Sequence, residues 1–256
     1  SLLNLWIGTQ EGLAIYNRGE DNFTLIYHNN APVQAKTACL LTDGILFAGT
    51  GLWIYSYADR QLHSLPIINK GKAINDYFKY IKPWKKNTYV VGTQWKGVYL
   101  YHTDSHQLTP FTSCKKQHIS SYFIDKQKNL WLSPYGEGMI CYDVNGQEIA
   151  RYSTQNSDLC NDIILDMLIY KDELWIATDG GGIARLNLAD RTFRTIVQQS
   201  GNNNSLPSNS IKSLYVDHSQ NLWAGTIRNG LLNIREVYMH TFQAVSYTHL
   251  TLPTKR

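Results

Sequence analysis

A short phrase recurs six times along this chain of 256 residues, and it limits the fold more than any other feature. It reads Leu5-Trp6-Ile7-Gly8-Thr9, Leu46-Phe47-Ala48-Gly49-Thr50 and Tyr89-Val90-Val91-Gly92-Thr93. It continues as Leu130-Trp131-Leu132-Ser133, Leu174-Trp175-Ile176-Ala177-Thr178 and Leu222-Trp223-Ala224-Gly225-Thr226. Its second residue falls at positions 6, 47, 90, 131, 175 and 223, a spacing of 41 to 48 residues. A unit that small cannot bury its apolar face alone, so such units stack on one another.

Each copy has a second half, a glycine followed by an apolar run. Examples are Gly12-Leu13-Ala14-Ile15-Tyr16, Gly97-Val98-Tyr99-Leu100-Tyr101, Gly182-Ile183-Ala184-Arg185-Leu186 and Gly230-Leu231-Leu232-Asn233-Ile234. A weaker run follows a polar turn, as in Phe193-Arg194-Thr195-Ile196-Val197, and another alternating run precedes the phrase, as in Ile211 to Asp217. Turn residues such as Asp43-Gly44, Lys128-Asn129 and Gln220-Asn221 close the intervening hairpins. Seventeen Tyr and seven Trp against three Met also favour strands over helices. Four short antiparallel strands in roughly 40 to 45 residues are the signature of a β-propeller blade.

The expectation is therefore an all-β propeller of four-stranded antiparallel blades. Six repeats are recognisable, which leaves open an incomplete seven-bladed ring. Within a blade, strand A precedes the recurring phrase, strand B is the phrase, strand C is the glycine-led run and strand D follows it. The aromatic of strand B is expected to fill the gap to the next blade, and the small residue two positions later to let the sheets approach.

Composition excludes several classes. A net charge of +4 is too mild for an electrostatically driven nucleic-acid binder. No apolar run reaches the roughly 18 residues of a membrane span, so no membrane contact is expected within the chain. Cys39, Cys114, Cys141 and Cys160 show no metal-ligand spacing. Cys39 and Cys141 sit in apolar runs and read as buried thiols. The spacing leaves a Cys114–Cys160 disulfide open. No cofactor and no metal are expected.

The combined pattern Ile-x-x-Leu-x-x-Asp followed by Asn-Leu-Trp-x-Gly-Thr-x-x-x-Gly-Leu is clearest from Ile211 to Leu232. It resembles the two-component regulator propeller, whereas the marks of WD repeats, kelch blades and sialidase-type Asp-boxes are missing. Repeats two to four depart from it, with Phe47 and Val90 in place of Trp and Pro134 in place of Thr. The resemblance covers residues 1–243 and implies the periplasmic sensor region of a hybrid two-component histidine kinase anchored in the inner membrane. It also implies an oligosaccharide ligand, and a second propeller and a kinase region as partners within the parent chain. A homodimer is left open. The chain reads as a fragment that starts inside a hairpin between strands A and B. Residues 244–256 fit no repeat, resemble translated adapter read-through, and are expected to be non-native or disordered.

Binding in such a scaffold concentrates in the loops, where residues vary between repeats while scaffold positions recur. The turns between strands B and C present Gln10-Glu11, Gln94-Trp95-Lys96, Tyr135-Gly136-Glu137, Asp179-Gly180-Gly181 and Ile227-Arg228-Asn229. Aromatic faces and planar polar groups suit sugars, so the candidate ligand-binding residues are Gln94, Trp95, Tyr135, Glu137, Asp179, Arg228 and Asn229. Ordinary solvated turns would account for any one of them. Glu137 and Asp179 could also run acid–base chemistry as a propeller lyase or hydrolase, which requires a carboxylate separation of roughly 5 to 9.5 Å. A plain interaction scaffold is the third class. No catalytic residue is assigned, because no nucleophile elbow, metal helix or phosphate loop occurs. Lys79, Lys82, Lys85 and Lys86 surround Trp84 in what reads as an enlarged hairpin, with Lys126 and Lys128 in the next. Contact with an anionic partner and simple solvation both fit those lysines.

Overall fold

The computed structural model describes residues 5–9, 11–65, 68–69, 72–74, 76–114, 118–202, 204–234 and 239–242. The expected tail, 244–256, and Gln10 lie outside them. Among the described residues there are strands and turns and no helix. The order is a run of antiparallel sheets, each an up-and-down succession of neighbouring strands. Sheet 1 pairs Trp6–Gly8, Leu13–Asn17 and Asn22–Leu25. Sheet 2 is Ala35–Leu40, Gly44–Gly49, Leu52–Ser56 and Leu62–Ser64. Sheet 3 is Phe78–Lys85, Thr88–Thr93, Val98–His102 and Gln107–Pro110. Sheet 4 is Ile119–Ile124, Leu130–Pro134, Met139–Tyr142 and Glu148–Tyr152. Sheet 5 is Ile164–Tyr170, Glu173–Thr178, Ile183–Asn187 and Phe193–Ile196. Sheet 6 is Ile211–Val216, Leu222–Thr226, Leu231–Ile234 and Met239–Phe242. Two small hairpins, Tyr27–His28 with Ala31–Pro32 and Ile68–Asn69 with Lys72–Ala73, lie between the first three sheets in the chain. This is the expected all-β propeller architecture of four-stranded antiparallel blades.

The residues fall into two compact units, one of Ser1–Ile119, Ile124–Pro134 and Cys141–Ala150, the other of Ser120–Phe123, Tyr135–Ile140 and Arg151–Arg256. In the second unit, the sheet 5 face carrying Trp175, Ala177 and Ile183 shares one core with Ile211, Leu214, Ala224 and Leu232 of sheet 6. Ile211 and Leu214 of strand A both enter this core although residues three apart alternate faces in a regular strand, because the register shifts between Ile211 and Ser213. Strand A also joins the sheets directly: Asp166 Oδ2 accepts the backbone N–H of Leu214 at 2.9 Å. Strand A breaks register with strand B near its start in sheets 2, 3, 5 and 6. A bulge recurring at one repeat position belongs to the design of the blade.

In the first unit, Trp6 packs on Phe47 and Tyr55 with centroids at 5.1 and 4.9 Å. Here the expected role of the strand-B aromatic needs correction. Phe47 shares its core with Leu13 and Trp6 of sheet 1, while Leu46, Ala48, Leu52 and Ile54 share theirs with Phe78, Val91, Tyr99 and Tyr101 of sheet 3. Sheet 2 therefore meets sheet 3 through aliphatic side chains, and its aromatic bulk, Phe47 with its register partner Trp53, lies on the other face. In sheet 3, where strand B carries Val90, strand A provides the indole instead: Trp84 is buried, with its Nε1–H donated to the Lys128 carbonyl at 2.7 Å.

That placement also corrects the enlarged hairpin. Strand A runs to Lys85 and strand B starts at Thr88, so the turn is tight and Trp84 belongs to the strand. Lys82, Lys85, Lys86, Lys126 and Lys128 are exposed, and the Lys85 ammonium lies 4.2 Å from the centroid of the Trp84 ring. All four cysteines are free thiols. Cys141 is buried as expected, but Cys39 is only half-buried.

Candidate functional site

Four of the turns between strands B and C, those of sheets 1, 3, 5 and 6, share one construction. The threonine closing strand B bonds twice to the carbonyl of the glycine that opens or precedes strand C. Its backbone N–H reaches Gly12, Gly97, Gly182 and Gly230 at 2.9, 2.9, 3.1 and 2.9 Å from Thr9, Thr93, Thr178 and Thr226. The hydroxyls of the same residues donate to the same carbonyls at 2.8, 2.9, 2.8 and 2.9 Å. In three of these turns the hydroxyl also accepts a turn N–H: Gly12 at 3.1 Å, Lys96 at 3.0 Å and Asn229 at 2.7 Å. The motif Thr-x-x-x-Gly, shortened to Thr-x-x-Gly between Thr9 and Gly12, is therefore a staple that holds the turn from inside. The side chains at its tip take no part in these bonds and are free to differ.

A second device fastens these turns to the segment leading into strand A. Two residues before the first apolar residue of strand A stands Asp76, Asp162 or Asn209. The Asp76 carboxylate accepts Tyr77 N–H at 2.7 Å, Trp95 N–H at 2.9 Å and Lys96 N–H at 2.8 Å. Asp162 accepts the Thr154 N–H and hydroxyl at 2.8 and 2.7 Å, and its carbonyl accepts Gly138 N–H at 3.1 Å. Asn209 accepts Gln198 N–H at 2.7 Å, and its carbonyl takes both Gly180 and Gly182 N–H, at 3.0 and 2.8 Å. Gly182 has φ +82°, and a Cβ there would lie 2.2 Å from the Ile196 carbonyl oxygen, so only glycine fits.

The candidate residues are distributed as follows. Gln94, half-buried, and Trp95, 57% exposed, share one turn in the first unit. The Trp95 ring lies 5.0 Å from that of His118, tilted by 40°. In the second unit, Tyr135 is 50% exposed and Glu137 is exposed on the next turn. Asp179 is half-buried and pairs with Ser210 in an isolated bridge. Arg228 and Asn229 are exposed, and the Ser210 carbonyl accepts Ile227 N–H at 3.0 Å. Ser210 thus joins the Asp179 turn to the Arg228 turn. Among the described residues, no carboxylate pairs with Arg228.

Asp76, His118, Asn209 and Ser210 were missed in the sequence. For Asp76 and Asn209 the signal was available: an Asp or Asn recurs two residues ahead of strand A in three repeats. Near the Asp179 turn, the Cys160 thiol lies 3.8 Å from the Thr178 hydroxyl, and burial pushes its pKa up. Among the described residues, no group of three or more His, Cys, Asp or Glu could hold a metal ion, and no helix is long and apolar enough to cross a membrane. A pocket of about 360 Å³ is lined by Ile7, Ala14, Phe23 and Leu25 of sheet 1 and by Thr9 and Glu11 of its turn between strands B and C.

Residues 205–228 match the model of the family described as two component regulator propeller. The chain is similar to the extracellular domain of what is described as a one component system of B. thetaiotaomicron, at 23% identity and a TM-score of 0.71. The match covers 91% of this chain and 31% of that one. It is also similar to the extracellular domain of what is described as a hybrid two component system of the same organism, at 16% identity and a TM-score of 0.51, over 91% of this chain and 38% of that one. PorZ, a surface component of the type-IX secretion system of Porphyromonas gingivalis, aligns at 16% identity and a TM-score of 0.68, over 90% and 37%. The chain thus spans about a third of the length of these structures, and the likeness to them establishes the fold. No curated protein matches the chain.

Proposed function

Because residues 205–228 carry a two component regulator propeller repeat, we propose that this chain belongs to the periplasmic sensor region of a hybrid two-component signalling protein. In this reading residues 1–243 are propeller, and residues 244–256 stand apart from it. The sensor binds oligosaccharide non-covalently, and occupancy acts on a second propeller and a kinase region elsewhere in the parent polypeptide. The chain itself carries no chemistry.

One observation carries this reading: four of the turns keep the same internal staple while their tips differ from repeat to repeat. Thr178 and Thr226 make the same bonds, yet one turn presents Asp179 and the other Arg228 and Asn229. A rigid support beneath variable polar and aromatic tips is how scaffolded loops recognise ligands. The kinship of the fold with extracellular domains supports a location outside the cytoplasm.

The test is a thermal-shift screen of the protein against a panel of oligosaccharides, repeated with Arg228→Ala and Tyr135→Ala. At least one sugar should raise the unfolding midpoint, and the variants, which remove exposed tips, should lose that rise while melting normally alone. If no sugar in the panel stabilises the protein, the oligosaccharide reading falls.

A further inference from the structure

The sheet 3 turn differs in character from the others described. Its tip is an indole standing next to a lysine. Trp95 is held by its backbone N–H on Asp76, and Lys96 by its own N–H on both Asp76 and Thr93, so the turn is fastened from two sides. The Trp95 ring meets His118 at 5.0 Å and still leaves 57% of the residue exposed. An exposed indole that is braced from below is a platform, because ordering it on binding costs little further entropy.

The charge beside that platform is positive. The Asp76 carboxylate is engaged by three backbone N–H groups at 2.7 to 2.9 Å. Lys96 is exposed, and among the described residues its ammonium has no carboxylate partner. A pyranose stacked by its C–H face on Trp95 would therefore meet a cation at its edge. In the second unit the residue at the Lys96 position, directly before the strand-C glycine, is Glu137, Gly181 or Asn229, so none of those turns places a cation there.

The geometry points to Trp95 and Lys96 as a subsite for an anionic pyranose, one bearing a uronate carboxylate or a sulfate ester. This inference rests on the reading of the turn tips as a saccharide surface and narrows it to an acidic sugar. Trp95 supplies stacking area, Lys96 the countercharge, and His118 positions the indole. An exposed ion pair contributes up to about 1 kcal/mol, roughly a fivefold effect on affinity, and is screened by salt. A central aromatic anchor counts for more, at least about tenfold.

The experiment is calorimetric titration of the protein with trigalacturonate, with its fully methyl-esterified form and with a sulfated chondroitin tetrasaccharide, at low and high salt. Lys96→Ala and Trp95→Ala are titrated alongside, each checked for an unchanged melting curve. At least one acidic probe should bind, the methyl ester more weakly than the free acid, and raised salt should weaken the acid alone. Lys96→Ala should lose about fivefold, and Trp95→Ala at least about tenfold. Binding of uronate over sulfate, or the reverse, identifies the acid group. Equal binding of acid and ester, with Lys96→Ala silent, overturns the anionic subsite and leaves the saccharide reading standing. If the acidic probes and the neutral ester all fail to bind, the subsite falls, and an unresponsive wider panel takes the saccharide reading with it.

Discussion

The indole Nε1–H of Trp223 donates to the carboxylate of Asp217 at 2.9 Å, and the same carboxylate clasps Asn221 through its backbone N–H at 2.8 Å and its side-chain amide at 2.9 Å. Sheet 4 repeats the arrangement: Asp125 binds Trp131 at 3.1 Å and Asn129 at 2.8 and 2.9 Å. The spaced motif Asp-x-x-x-Asn-Leu-Trp is thus one hydrogen-bonded unit in which an acid closes the turn and orients the strand-B indole.

Sheet 5 departs from this pattern and so offers a control. Its hairpin is the tighter Tyr170-Lys171-Asp172-Glu173, and Trp175 Nε1 is buried without an acceptor among the described residues. Arg185 instead lies 4.7 Å from the Trp175 ring centroid and bonds Glu173 at 2.7 Å through Nε. Trp131→Phe gives up a charge-assisted bond along with packing, whereas Trp175→Phe loses no bond. Chemical denaturation should show Trp131→Phe costing about 1 to 2 kcal/mol more than Trp175→Phe. Equal costs would mean that the acid contributes nothing to holding the indole.

Acid sensitivity follows from the same group. The hydrogen bonds from Trp223 and Asn221 hold the Asp217 carboxyl down to about 2, from an ordinary value of 3.8. A folded-state pKa below the unfolded one adds stability that is fully present above about 3.8 and disappears as pH falls toward about 2. Asp217→Asn should flatten that part of the stability–pH curve and leave the profile above pH 5 parallel to that of the parent. Melting midpoints collected from pH 2 to pH 7 would check it, and an unchanged acid limb would contradict it.

The turn staple has its own signature. Thr178→Val keeps the shape of the side chain but removes the hydroxyl that donates to Gly182 at 2.8 Å. The expected loss is about 1 kcal/mol, with faster amide exchange confined to the Asp179 turn. Thr178→Ser should restore most of it. An exchange pattern altered throughout sheet 5 would show that the threonine supports packing rather than the turn.

Gly182→Ala should be harsher. The backbone stands at φ +82° and the new methyl would press on the Ile196 carbonyl. The positive φ alone costs about 1 to 2 kcal/mol, and the clash adds to it. Denaturation of this variant beside Gly201→Ala, which also has positive φ but meets nothing within 4 Å, separates the two contributions. If both variants lose the same stability, the close approach to strand D is immaterial.

Much of this fold could be read from residue order, because a blade has little freedom. The recurrence of Leu-Trp-x-Gly-Thr placed strand B, and the following glycine placed strand C. What could not be read were choices between equivalent ways of filling one gap. Sheet 3 moves its indole from strand B to Trp84 in strand A, and sheet 2 turns Phe47 toward Trp6. Either choice conserves apolar volume, and volume is what the repeat pattern reports. The turn tips were legible as exposed and variable, but not their supports. The Asp76 carboxylate and the Asn209 and Ser210 carbonyls take backbone N–H groups of turns 15 or more residues away, a pairing that a reading based on side-chain types does not register.

The account stands or falls on whether the turn tips hold a sugar without altering it. The direct measurement is to incubate the protein with a mixed oligosaccharide pool, separate retained from free sugars by ultrafiltration, and weigh both fractions by mass spectrometry over time. A defined subset should be retained with its masses unchanged, and a Trp95→Ala/Arg228→Ala double variant should retain little of it. Shortened or unsaturated products appearing with time, or no sugar retained at all, would contradict the account.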